Sequence, residues 1–131
     1  MNGASTFHEP SIEVRSPQPD AALVVLGGEH DLSSANELRR TFDQSLAHCD
    51  HLIVDLSATE FIDVRTISVL METRQHAIEL DRKFSVVLGT EPIVERILEV
   101  SGVLPLLNVV PTVERAFDAS ASPSALVAHT H

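Results

Sequence analysis

The chain has 131 residues, 44% hydrophobic and 21% charged, which suits one folded domain and excludes a disordered polymer. A formal net charge of −10 excludes the basic footprint that nucleic acid or an anionic membrane surface requires, and fits a neutral or basic partner. With five Phe, no Trp and no Tyr, the core must be aliphatic, and the lone cysteine, Cys49, excludes an internal disulfide and points to a reducing compartment.

The opening MNGASTFHEP has neither the basic start nor the apolar run of a signal peptide. No segment reaches the roughly 18 apolar residues of a membrane helix, so a cytoplasmic location is expected. Ser11–Ser16 reads as a short edge strand stopped by the turn Ser16-Pro17-Gln18-Pro19-Asp20. Ala21–Leu26 is a continuous apolar run ending at Gly27-Gly28, the pattern of a buried strand. Ser34 and Glu37 form a capping-box pattern, and Ala35, Leu38, Phe42 and Leu46 recur at helical spacing, predicting a helix over 34–47.

Leu52–Leu56 is the next strand. Asp63 is placed to cap a helix reaching about Leu80, with Ile67, Leu70, Met71 and Ile78 inward. Phe84–Leu88 is another strand, and Thr90-Glu91-Pro92 opens a helix whose apolar face is Ile93, Val94, Ile97 and Leu98. Gly102 is placed to end that helix in the left-handed conformation. Leu106–Val110 reads as a last short strand and Thr112–Ala119 as a final helix. Alternating strands and helices imply a mostly parallel α/β sheet with right-handed crossovers and most helices on one face.

Several segments together resemble the STAS family, most closely the bacterial anti-sigma-factor antagonists. Gly28-Glu29-His30-Asp31 resembles the turn after that family's second strand, and Leu52–Ser57 its third strand. Phe61-Ile62-Asp63 resembles the start of its regulatory helix, Val100-Ser101-Gly102-Val103 the end of its third helix, and Thr112–Phe117 its last helix. The match runs from about residue 9 to residue 119. The resemblance implies a single STAS-like domain over 11–119, a mostly parallel strand–helix superhelix with an antiparallel edge strand first. A flexible lead over 1–10 and a flexible tail over 120–131 flank it.

The resemblance also implies a function. Antagonists of this kind bind an anti-sigma factor, usually one with a kinase-type ATP-binding fold, and so free a sigma factor. The kinase turns them off by phosphorylating a serine directly after the aspartate that opens the second long helix. Here that aspartate is Asp63 and the next residue is Val64, followed by Arg65 and Thr66 where the family usually has Ser or Thr and then Gly. The family acceptor position therefore has no hydroxyl, and Thr66 is the alternative. Asp31, Asp63, Val64, Arg65, Thr66 and Ile67 are the residues carried over as the partner surface. An alternative within the family is a sensory or scaffolding STAS domain that binds a small ligand or assembles with other STAS proteins, a homodimer included.

Each of these residues also has a plain structural account. Asp31 can order a turn and Asp63 can cap a helix. Arg65 opposes a helix dipole, and an ion pair with Asp31, Glu60 or Asp63 would explain it; the competing account is an anchor for an acidic group of a partner. His48-Cys49-Asp50-His51 looks like a ligand cluster, but a helix-to-strand junction sends its side chains in different directions and no second cluster completes a site. No nucleotide-binding glycine loop and no nucleophile–base set can be placed. The expectation is a binding module with no cofactor and no metal, and not an enzyme.

Overall fold

The apolar runs beginning at Ala21 and His51 lie side by side at the centre of a sheet because both are buried on two faces. The structure, a computed structural model, describes residues 8–121. Most of the expected lead and tail, 1–10 and 120–131, lies outside those residues. Among them, five strands pair in sequence order: β1 (Ser11–Gln18), β2 (Ala21–His30), β3 (His51–Ile62), β4 (Lys83–Val87) and β5 (Val109–Val110). β1 is antiparallel to β2, and every later pairing is parallel. The helices are α1 (Leu32–His48), α2 (Val64–Glu79), α3 (Pro92–Val100) and α4 (Val113–Ala121).

The main core joins Val24, Leu26, Leu52, Val54 and Val86 of the sheet to Leu38, Phe42 and Leu46 of α1, Leu70 of α2 and Leu98 of α3. The opposite face of the sheet has a smaller cluster, Leu23, Ile53 and Val87, covered by Ala116 of α4. Each fully buried aliphatic side chain contributes roughly 1.5–3 kcal/mol, so the three-helix face dominates the stability of the domain.

Several elements differ from the sequence expectation. β1 runs to Gln18, two residues past the expected end, through an irregularity between Arg15 and Gln18. α1 begins at Leu32 because Asp31, not Ser34, is its cap; the Asp31 side chain accepts from Ser33 N–H. α2 buries Thr66, Val69, Thr73 and Ala77 along with Ile67 and Leu70, leaving Met71 half-buried and Ile78 53% exposed. Threonine serves on this inner face because its hydroxyl can return to the helix: Thr73 donates to the Val69 carbonyl at 2.7 Å. Of the expected last strand, Leu106–Val110, only Val109–Val110 pair; Leu106 instead closes a 3₁₀ turn, Leu104–Leu106. α3 does end as expected: Gly102 has φ +78°, its N–H donates to Glu99, and Val103 N–H donates to Leu98.

β3 is much longer than its apolar run. Val25 pairs with Asp55, Gly27 with Ala58, and Glu29 with Phe61, so two register shifts each add one residue to β3. Such bulges break the period-two alternation by which a strand is read from sequence. They also carry the strand beyond the end of β4, to Asp63 and the head of α2.

His51 stands at the other end of β3 and is 1% exposed. One ring nitrogen, Nε2, meets the Ser85 hydroxyl at 2.8 Å, which also accepts from Asn108 Nδ2 at 3.2 Å, while Nδ1 has no partner among the described residues. Burial, and then the Lys83 charge, push His51 down to about 4, with Asp20 opposing. The folded value lies below the unfolded one, so this stabilisation is complete above about pH 6.5 and is lost as pH falls towards 4. Urea titrations at pH 7 and pH 5 are expected to differ by about 2 kcal/mol from this group, and His51→Leu is expected to flatten that dependence.

Candidate partner-binding site

The carboxyl ends of β2 and β3 deliver two aspartates to the heads of two neighbouring helices. Asp31 Oδ1 accepts from Ser33 N–H at 2.8 Å and from the Ser33 hydroxyl at 2.6 Å. Those two bonds, the hydroxyl first, hold its carboxyl below the usual carboxylate range. Asp63 Oδ1 accepts from Thr66 N–H at 3.0 Å, and the Asp63 carbonyl accepts from Ile67 N–H. Both aspartates therefore cap helices: Asp63 as its structural account expects, and Asp31 where that account had it order a turn.

The two caps are also joined to each other. Asp63 N–H donates to the His30 carbonyl at 3.1 Å. The Thr66 hydroxyl lies 3.1 Å from that same carbonyl and 3.2 Å from Asp63 Oδ1. Farther along, Arg39 of α1 pairs with Glu72 of α2 at 2.9 Å, and His76 of α2 with Asp43 of α1 at 3.3 Å. The sequence gives no sign of this stitching, because a backbone carbonyl carries no residue-type signal.

The carried-over residues divide into two groups. Val64 is 76% exposed and Arg65 is exposed. Thr66 is 0% exposed and Ile67 6%, so neither offers its side chain to a partner of the folded domain. The reason is helical phase: the third and fourth residues of α2 fall on its core face. The ion pair expected for Arg65 does not form. Asp31 is occupied by Ser33, Asp63 by Thr66, and Glu60 by His8 at 2.6 Å, and Arg65 has no ion pair among the described residues.

Two further exposed apolar residues flank the caps: Phe61, 39% exposed near the end of β3 and at the edge of the expected Phe61–Ile67 surface, and Leu32, 65% exposed at the start of α1, which was not among the expected site residues. Large apolar residues directly beside the caps were the signal available in sequence; their exposure is fixed only by the folded structure. Gly28 shapes the same end of the sheet. It has φ +76°, and a side chain there would strike the Glu9 carbonyl, so the segment His8–Glu9 crosses at this point and His8 carbonyl accepts from Glu29 N–H at 3.0 Å. The His48–His51 cluster does not converge: Cys49 and His51 are buried, His48 and Asp50 are exposed, and no group of metal-ligating side chains occurs among the described residues.

A model of the STAS domain family matches residues 12–116. The chain belongs to the STAS domain family. Its fold is similar to an anti-sigma factor antagonist from Mycobacterium paratuberculosis, with a TM-score of 0.76, 24% identity, and 85% of this chain and 93% of that one covered. It is similar to the anti-sigma factor antagonist SpoIIAA in its unphosphorylated form, at TM-score 0.75, 15% identity and coverage of 86% and 97%. The phosphorylated form of SpoIIAA from Bacillus superposes with TM-score 0.68, 14% identity and coverage of 84% and 99%. A search of curated proteins found no significant match. In this chain the third strand and second helix of the STAS domain are joined at Asp63.

The cap and the buried hydroxyl share a hydrogen bond, which makes their energies interdependent. Asp63→Ala is expected to cost about 1 kcal/mol through the lost cap. Thr66→Val is expected to cost about 1–2 kcal/mol through the lost buried hydroxyl bonds. In a denaturation double-mutant cycle the pair should cost less than the sum, because either change already removes the Thr66–Asp63 contact.

Proposed function

We propose that this STAS domain is an anti-sigma-factor antagonist: a non-catalytic module, cytoplasmic in a bacterium, that sequesters an anti-sigma factor of kinase-type ATP-binding fold and so frees a sigma factor. The observation that carries this reading is the exposed Val64–Arg65 head of α2, with no ion pair on Arg65 among the described residues, set beside the Asp31-capped head of α1. The similarity to several anti-sigma factor antagonists over more than four-fifths of the chain supports it. Leu32, Phe61 and Val64 supply apolar area, and Asp31 and Arg65 supply opposite charges that fix orientation. No described helix is long and apolar enough to cross a membrane.

The same site speaks to control. One relative is a protein with a phosphorylated form. A phosphate carries roughly −1.5 to −2 charges and, about 6 Å from a partner carboxylate at an effective dielectric near 20, would add roughly 4–5 kcal/mol of repulsion before screening. About a third of that is already a tenfold loss of affinity. Val64 offers no acceptor at the position that the resemblance assigns to the phosphoserine. Thr66 is buried with its hydroxyl engaged, so a kinase would have to unwind the head of α2 to reach it. We infer that this protein is not inactivated by its kinase partner at this helix head.

Incubation with the cognate anti-sigma kinase and ATP is expected to leave the intact mass unchanged. In calorimetry, Arg65→Ala and Asp31→Ala should each weaken binding about tenfold or more, and Val64→Glu should do the same by adding a charge at the apolar centre. Stoichiometric phosphorylation at Thr66 would overturn the control reading. Unchanged affinity in all three folded variants would remove the partner from this surface.

A further inference from the structure

His30 is 0% exposed and ends β2, which runs on through Gly27-Gly28 where the sequence suggested a turn, and no role in partner binding attaches to it. Its Nε2 lies 3.2 Å from the Ser11 carbonyl and 3.0 Å from the Gly27 carbonyl. Carbonyls only accept, so Nε2 carries a proton and donates. In the neutral ring Nδ1 is then an acceptor, and the Ser34 hydroxyl, 3.0 Å away, donates to it. The His30 carbonyl meanwhile receives Asp63 N–H and the Thr66 hydroxyl. One residue is thus bonded to β1, β2, α1 and the head of α2.

We propose that His30 is a positioning residue whose ring protonation is read out at the paired heads of α1 and α2. This rests on the partner-surface reading for its biological meaning, although the coupling itself is a property of the isolated chain. When the ring gains a second proton, Nδ1 becomes a donor and Ser34 can no longer donate to it. The Ser34 hydroxyl must turn to its other neighbour, the Asp31 carbonyl at 3.3 Å, which already accepts from Ser34 N–H at 3.1 Å. The change therefore lands on the residue that caps α1. It is transmitted to α2 through the His30 backbone, because the ring bonds fix where the His30 carbonyl stands.

The groups around the ring set the direction of the response. Burial pushes His30 below its ordinary value, opposed by the bonds to Gly27 and Ser11 and then by the charges of Asp31 and Glu37. From β1 and β2 the ring meets carbonyls, while on the backbone His30 pairs with Ile62 of β3 and its carbonyl receives Asp63 and Thr66 from α2. A folded value below the unfolded one means that the neutral joint is fully stabilising above about pH 6.5 and is lost as pH falls through the folded value.

Nuclear magnetic resonance of the full chain, titrated from about pH 7.5 to about 5, tests this without any partner. The His30 ring carbon shifts should titrate with one midpoint below 6.5, and the amides of Ser34, Asp63 and Thr66 should share it. His30→Gln keeps a donor for the carbonyls but cannot titrate, so it should hold these amides near their high-pH positions and remove the inflection. His30→Leu, where it folds, should speed hydrogen exchange at Asp63 N–H by roughly tenfold or more. Inflections at Ser34, Asp63 and Thr66 that persist in His30→Gln would assign them to another group and overturn the proposal, as would amides that do not follow the ring. If the coupling is present but an anti-sigma factor binds wild type and His30→Gln with the same pH dependence, the partner-surface reading fails and the joint stands.

Discussion

The structure depends on one carbonyl group at the end of its second strand. His30 oxygen accepts from the backbone of Asp63 and from the hydroxyl of Thr66, and these bonds place the start of α2 against the turn that starts α1. Each helix needs its first N–H groups satisfied, and each has an aspartate for the purpose. Without the shared carbonyl these would be two independent caps. With it they form one rigid edge, on which Val64 and Arg65 project outward while Thr66 and Ile67 are pulled inward.

The geometry of β3 makes that edge possible. Its two added residues lengthen the strand past β4 and turn its end towards α2. Gly28, in its left-handed conformation on the facing strand, admits the backbone of His8–Glu9 where a side chain would collide. Gly89 has a comparable steric role on the far side, since a Cβ there would meet the Ser57 backbone at 2.7–2.8 Å. The irregular end of the sheet is thus built from close backbone approaches, while its regular end carries the aliphatic core.

Charge distribution follows the same division. The cations at positions 39 and 82 are spent on internal pairing, Arg39 with Glu72 and Arg82 with Asp50. Arg65, like Arg40, Arg74, Arg96 and Arg115, has no ion pair among the described residues, and it lies at a helix start where the dipole disfavours it. A cation exposed at such a position adds little to folding.

The sequence by itself determined the architecture. Apolar runs such as Ala21–Leu26, the helical spacing of Leu38, Phe42 and Leu46, the cap at Asp63 and the left-handed end at Gly102 are local signals, and each was legible because its physical cause lies within a few neighbouring residues. The family resemblance likewise rested on short segments in a fixed order. Tertiary structure alone decided which residues meet. That Asp31 caps α1 ahead of the Ser34–Glu37 pattern, that Thr66 and Thr73 face the core while Ile78 does not, that Arg65 finds no carboxylate, and that His30 ties four elements together all depend on contacts between distant segments. Bulges erased the alternation that would have marked the end of β3, and a backbone carbonyl has no letter in the sequence, so the joint between the two helix heads could be seen only once the chain was folded.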